Sequence, residues 1–336
     1  MTVADLETLG PGDEEVQPPT DPSGKKITGR SPSRIALERL RRDKLGVISG
    51  SIVMMLVLAA IFAPLICKAF GIEGPYATNG AADLDYTNYP NVGPPFYPFT
   101  WSHPLGLTPN TAYDNLARLV YGLRVSLGIA LGATVFSTII GIVMGLMGGF
   151  AHGWLDRIIS FVIDLFLSFP FILGALALAP IITSKFATQE DKLKWVQFFS
   201  LMSVLVIFGW MYLARLVRGQ VLSLREREFV QSAQVLGAPT RRILFKELLP
   251  NLIAPIVVSI SLTLPGYVAA EAGLSFLGIG ITGFPSLGQT ILRASPYYDT
   301  YPLYLYAPVF AVTILVVALN LLGDSVRDAF DPKTRR

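Results

Sequence analysis

Unbroken apolar runs separated by polar segments dominate this chain. Windows at 45–67, 125–149, 158–182, 198–214, 252–274 and 303–323 hold only two charged side chains between them, Asp164 and Glu271. A helix rises about 1.5 Å per residue, so about 20 apolar residues cross a hydrocarbon core ~30 Å thick. Window 45–67 has 23 residues and no charge, so it spans comfortably. Window 198–214 is shorter, and Gln197 and Val217 at its flanks mark frayed limits rather than the absence of a span. None of the runs shows the alternation, in segments of about ten residues, that a membrane barrel requires. The pattern predicts six transmembrane helices in an all-α integral membrane protein.

Composition sharpens this picture. Of 336 residues, 52% are hydrophobic and 15% charged, against about 25% charged in ordinary soluble domains. Nearly all the charge lies outside the six windows, which excludes a single soluble globular domain. A net charge of +3 argues against a nucleic-acid partner, and Cys67, the one cysteine, excludes a disulfide scaffold. Six spans put both termini on one side. That side holds the basic residues up to Lys44, Arg157, the seven from Arg215 to Lys246, and the four from Arg327 onward. The other side has Lys68, Lys185, Lys192, Lys194 and Arg293, with Arg118 and Arg124 approaching the second span. This asymmetry of 20 against 7 predicts cytoplasmic N and C termini.

Residues 1–30, acidic and then rich in Pro, Gly and Ser, read as a disordered cytoplasmic tail with no cleavable signal peptide. Within 31–44, Ala36, Leu37 and Leu40 share a helical face ringed by Arg34, Arg39, Arg41 and Arg42. That is the pattern of an interfacial amphipathic helix, or of a solvated basic flank to the first span. The long segment 68–113 carries Tyr76, Tyr86, Tyr89, Phe96, Tyr97, Phe99 and Trp101 among prolines. Two readings stand for it: a docking surface for an extracytoplasmic partner, or a share of the aromatic belt at the headgroups. Residues 333–336 form a basic C-terminal tail.

The stretch 215–250 is the most informative. Gly237 suits the left-handed residue that ends a helix, Pro239 the first turn of the next, and Pro250 the border with the fifth span. Phe229, Ala233 and Leu236 recur at spacings of four and three, giving one apolar face on a short basic helix–turn–helix. Such a face fits a socket in another protein or packs on this chain's own helix ends.

This stretch resembles a known family. Gln231-Ser232-Ala233, then Gly237, then Leu249-Pro250, is similar to the Glu-Ala-Ala…Gly…Leu-Pro loop of ABC importer permeases. Arg41-Arg42-Asp43-Lys44-Leu45 with Phe62-Ala63-Pro64-Leu65 resembles one branch, the second, C-type inner-membrane permease of dipeptide and oligopeptide importers. So do Gly209-Trp210 through Arg225-Glu226-Arg227-Glu228, Leu274-Ser275-Phe276-Leu277-Gly278 and Pro285-Ser286-Leu287-Gly288. The ending from Asn320-Leu321-Leu322-Gly323-Asp324 to Asp331-Pro332 agrees as well, so the likeness runs from about residue 38 to 332. Gln231 stands where the family has Glu, Ser232 where it has Ala, and Leu107 to Tyr113 lacks the usual Thr-Asp…Gly-Arg.

The resemblance implies a type I ABC importer permease fold. Residues 114–332 would form a permease core of five transmembrane helices with the coupling loop 215–250. It implies an ATPase-coupling surface made of Glu226, Glu228, Phe229, Gln231, Ser232, Ala233, Leu236, Gly237, Leu249 and Pro250. It also implies four kinds of partner: a second homologous permease, two ATP-binding subunits, an extracytoplasmic binding protein and the bilayer of a bacterial plasma (inner) membrane. The chain has no phosphate loop of its own, Gly24-Lys25-Lys26 being the nearest approach. No cofactor is expected on it, therefore; ATP and Mg belong to the partner subunits, and the chain is not an enzyme. His103 and His152 are far apart in sequence and fall on opposite faces of the predicted topology, so no metal cluster is expected.

Asp164 and Glu271 are candidates for the translocation path, since charges within spans face wet cavities or partners. For Asp164, about two turns into the third span, the alternatives are reach to interfacial water and pairing with Arg157, seven residues earlier on the same helix. The function implied is coupling ATPase closure to alternating access for short peptides. Other readings are a self-contained secondary transporter, which would show internal repeats, and a permease for nickel chelates or oligosaccharides.

Overall fold

A computed structural model describes residues 32–331 except Ala187; the tails at 1–30 and 333–336 lie outside the described residues. Helices carry the fold. No strand forms among the described residues, only the isolated bridges Leu84–Pro90 and Leu107–Asp114.

The first helix, α1 (Pro32–Arg42), is amphipathic: Ala36 is buried while Leu37 stands half exposed. Asp43 then caps α2 (Lys44–Ile61), its carboxylate accepting from the N–H groups of Leu45 and Gly46 at 3.1 Å each. The Ser325 hydroxyl, aided by these N–H groups, holds the Asp43 carboxyl below the usual carboxylate range. Window 45–67 is not one helix as expected. It breaks at Phe62, and the short α3 (Ala63–Ala69) restarts with Pro64 in its first turn, where the missing N–H costs nothing.

The second window is part of a longer helix, α4 (Asn115–Phe150), whose N-terminus is capped by Asp114 accepting from the Ala117 N–H at 2.9 Å. Its first ten residues escape a search for apolar runs because they include Arg118 and Arg124. Arg118 is nevertheless buried, its guanidinium 5.8 and 5.7 Å from the ring centres of Tyr76 and Tyr113.

The third window is broken. Helices α5 (Trp154–Ser168) and α6 (Phe171–Ser184) meet at 93° across Phe169 and Pro170. Phe169, which precedes the proline, is extended (φ −84°, ψ 131°), as the proline ring demands of its predecessor. The Phe208 ring fills the elbow, with its centre 5.9 Å from Phe166 and Phe169 and 6.0 Å from Phe171. Phe208 itself lies at the kink between α7 (Glu190–Ile207) and α8 (Trp210–Leu224).

Helices α4 and α8 pack backbone to backbone. A Cβ added at Gly141, Gly145 or Gly149 would lie 2.9, 2.8 and 2.9 Å from the carbonyl oxygens of Trp210, Ala214 and Arg218. Only glycine on α4 permits that approach. The remaining long helices, α11 (Ile253–Leu274) and α13 (Pro302–Phe330), run antiparallel and touch where Gly323 meets the Ser261 carbonyl. Five helical units are long and apolar enough to cross a membrane, or six if the bent pair is one span.

Two faces follow. The terminal face gathers α1, the start of α2 and the end of α13, tied by Arg39 Nη1 donating to the Asp331 carbonyl at 3.0 Å. The ends of α4 and α8 join them there. The opposite loop face carries residues 70–114 and α12 (Leu287–Ala294). Here Tyr301 anchors the long loop, donating to the Pro90 carbonyl at 3.0 Å and stacking on Tyr97 at 5.4 Å. His103 Nδ1 lies 2.8 Å from the Asp114 carboxylate. Tyr86, Phe96 and Trp101 stay exposed.

Candidate functional site

The segment after α8 forms a hairpin on the terminal face. Helix α9 (Glu228–Val235) ends at Gly237, whose φ of +74° is the left-handed conformation that a side chain resists. The N–H of Ala238 donates to the Ala233 carbonyl at 3.0 Å and that of Gly237 to Gln234 at 2.9 Å. Together these close the helix end in a Schellman arrangement. Pro239 then caps α10 (Thr240–Arg242), which runs through a π turn (Ile243–Leu248) and a 3-10 turn (Leu249–Leu252) into α11. Pro250 is therefore not a border, as expected, but sits inside a continuous 40-residue helical unit, Thr240–Ile279. It falls where the π turn passes into the 3-10 segment, a local change of helix type that accommodates a residue without an N–H.

Base and tip of the hairpin differ in chemistry. At the base, Val230, Ile243, Leu248 and Leu252 are buried in one apolar cluster with Leu146 of α4, Val217 and Val221 of α8, and Ile256 of α11. Leu249 and Ala233 pack at its edge. At the tip, Val235 and Leu236 are each 86% exposed and Phe229 is 40% exposed. The expected face of Phe229, Ala233 and Leu236 is thus divided: Ala233 turns inward, and the other two turn out with Val235. Val230 and Val235 were not singled out by spacing. Val230 and Ala233, three apart, were the legible sign of a second, inward face.

The polar members of the set line the same exposed surface. Glu226 pairs with its neighbour Arg225 at 3.1 Å, and Glu228 and Ser232 are exposed. The amide of Gln231 folds back, its Nε2 donating to the Glu226 carbonyl at 3.3 Å.

The two charges of the apolar windows have opposite fates. Asp164 does not pair with Arg157; it is bound by Arg215 of α8, and both side chains are about 60% exposed. Arg157 lies seven residues away along the same axis, roughly 10 Å, whereas α8 packs alongside. A second bond of the same kind, Arg218 Nη2 to Asp156 at 2.8 Å, joins the two helices nearer the terminal face. Asp164 is ten residues into α5, roughly 15 Å along its axis, within the apolar window 158–182. A charge at that depth facing lipid costs about 2.5–3.5 kcal/mol on insertion scales.

Glu271, by contrast, is fully enclosed. It accepts from Ser275 Oγ at 2.8 Å, and Ser286, the cap of α12, donates to Ser275 at 3.4 Å. Ser126 of α4 accepts from the Leu287 N–H at 3.2 Å beside them. This knot joins α4, α11 and α12, and Glu271 reaches no surface of the chain. Among the described residues no cluster of His, Cys, Asp and Glu could hold a metal ion.

Comparison with known proteins places this architecture. Residues 120–336 match the binding-protein-dependent transport system inner membrane component, and residues 31–95 the N-terminal transmembrane domain of oligopeptide transport permease C. The chain belongs to this permease family. The permease is 31% identical to the dipeptide transport system permease protein DppC of Alkalihalophilus pseudofirmus, over 95% of its own length and 96% of that relative's. It is 31% identical to the oligopeptide transport system permease protein OppC of Bacillus subtilis, covering 93% and 94% of the two chains. The glutathione transport system permease protein GsiD of Salmonella typhimurium is 33% identical over 91% and 92%. The permease shares its fold with a chain of the MetNI methionine ABC transporter in inward-facing form, at a TM-score of 0.51 and 22% identity. That match spans 64% of the permease and 96% of the MetNI chain. The type I permease fold is therefore that of this chain.

Proposed function

We propose that this permease forms, with a second homologous permease, the translocation pathway of an ATP-driven importer of short peptides, and that its α9–α10 hairpin seats an ATP-binding subunit. The observation that carries the reading is the division of the hairpin into an apolar exposed tip and a base fastened to α4, α8 and α11. A short helix that exposes Val235 and Leu236 beside Glu226 and Glu228 fits an apolar socket with a polar rim. Because the base belongs to the cluster of three spans, displacement of the tip moves those spans together rather than bending the turn. Closure of the paired ATPases would thereby tilt the spans and switch access from one side to the other.

The basic excess supports a cytoplasmic terminal face, in a bacterial inner membrane. ATP and Mg are held by the partner subunits, and this chain binds neither. The relatives are named for dipeptides, oligopeptides and glutathione, and this supports a peptide substrate, delivered by an extracytoplasmic binding protein. The test is purification of the tagged chain from its native membrane followed by reconstitution. Two ATP-binding subunits and a second permease should accompany it, and Ala-Ala uptake should require ATP. A chain that purifies alone and transports without ATP would overturn the proposal.

A further inference from the structure

The outward faces of most long helices in this chain are apolar. Met55 and Leu58 project from α2, Val135 and Ile139 from α4, and Phe310 and Val317 from α13. Helix α8 departs from this. Its exposed positions, Tyr212, Arg215, Gly219, Gln220 and Ser223, fall at spacings of three, four, one and three on one helical side. Four of these are polar and Gly219 is bare backbone with open space where a Cβ would stand; Leu216, 40% exposed, is the apolar member of the same side. On the adjoining α5, Asp164 and Ser168 open to the same surroundings. The ion pair on this stripe lies where the apolar windows 158–182 and 198–214 meet α8, and more than half of each side chain is uncovered by the chain itself.

We infer that this stripe lines the pathway and that the Asp164–Arg215 pair is a charge filter in it, passing zwitterionic peptides in preference to peptides of net charge. The inference rests on the reading of the chain as half of a peptide pathway. Lipid cannot cover the stripe without the cost of burying charge in hydrocarbon, and on the pathway shared with the second permease it meets water and substrate. The pair is neutral as a whole and needs no outside counter-ion while the pathway is empty. A passing zwitterion presents both of the charges that the pair can exchange for. Its carboxylate takes the forked N–H donors of Arg215 and its ammonium the carboxylate of Asp164. A peptide with a further carboxylate brings it against Asp164, and one with a further ammonium brings it against Arg215.

The experiment uses the complete reconstituted transporter and three probes at subsaturating concentration: Ala-Ala, Ala-Asp and Ala-Lys. Asp164→Asn leaves Arg215 as the lone charge and should raise the ratio of Ala-Asp to Ala-Lys uptake about tenfold, while Arg215→Gln should lower it by about as much. Should both variants slow all three peptides by one common factor, or change nothing, the pair is a tie between helices and the inference falls. Loss of ATP dependence in the unaltered transporter would instead sink the importer reading. A second measurement does not depend on these variants assembling. Gln220→Cys, in a Cys67→Ala background, should react with a water-soluble, membrane-impermeant methanethiosulfonate and be protected by Ala-Ala. A thiol that stays unmodified faces lipid or the second permease, and would also overturn the inference.

Discussion

Glu271 and Asp164 are the same kind of sequence signal, a single carboxylate in a window otherwise free of charge, and the fold treats them in opposite ways. Around Glu271 the loop-face end of α11 is closed. Ser126, Ser275 and Ser286 surround the carboxyl, and α12 lies so close that no side chain fits at Gly288. Around Asp164 the terminal-face half of α5, α8 and α9 is open, with an exposed ion pair and an exposed apolar tip. A polar group that a chain satisfies internally holds helices together; one that it leaves uncovered at membrane depth is satisfied by something else. Substitutions in the closed region should therefore register on stability, and those in the open region on transport at unchanged stability.

The largest effect is expected at Gly288. A Cβ there would sit 2.4 Å from the Ala272 carbonyl oxygen and 2.7 Å from its Cα, and backbone cannot give way. Gly288→Leu should destabilise the chain by ~3 kcal/mol, the upper part of the usual overpacking range. A lowered thermal midpoint in detergent would measure it. A variant as stable as the natural chain would break the contrast at its closed side.

Next comes Gly237, in the open region. Gly237→Pro cannot adopt φ near +74° and loses the N–H that donates to Gln234. The turn would be disrupted at a local cost of ~3 kcal/mol, enough for more than a tenfold loss of a correctly shaped tip. ATP-driven uptake should fall more than about tenfold at normal chain level and normal thermal midpoint. Gly237→Asn, which tolerates the left-handed region, should retain most of it. Wild-type uptake by the proline variant would remove the hairpin from the coupling path.

How far these regions were legible in the sequence follows the same division. Local features were readable: the charge-free windows and the glycine turn. What depends on a neighbour distant in sequence was not. Asp164 finds Arg215, 51 residues away, while spacing on one helix offers only Arg157. Pro170, Pro180 and Pro265 are alike as letters, yet only Pro170 marks a right-angled elbow, because Phe208 from another helix fills the bend. Val230 outranks Leu236 as the buried anchor of α9 because the cluster beneath it is built from α4, α8 and α11, which periodicity within eight residues cannot reveal.

The smallest effect tests the contrast most finely, because it compares like changes at the two carboxylates. Glu271→Gln keeps shape and keeps an oxygen that accepts from Ser275 Oγ, now 2.8 Å away. A carboxylate enclosed without a cation would cost far more than a neutral carboxyl, so the enclosed group is best read as acting through its hydrogen bond, not its charge. The amide should therefore change stability by less than about 1 kcal/mol, the net worth of one hydrogen bond, and leave uptake within about twofold. The matching Asp164→Asn removes one half of an exposed pair, of the kind usually worth under about 1 kcal/mol to folding. It too should leave the thermal midpoint nearly unchanged, and yet alter which peptides pass. If Glu271→Gln shifted peptide selectivity and Asp164→Asn did not, the roles assigned to the enclosed and the exposed carboxylate would be reversed, and burial would be the wrong guide to function in these spans.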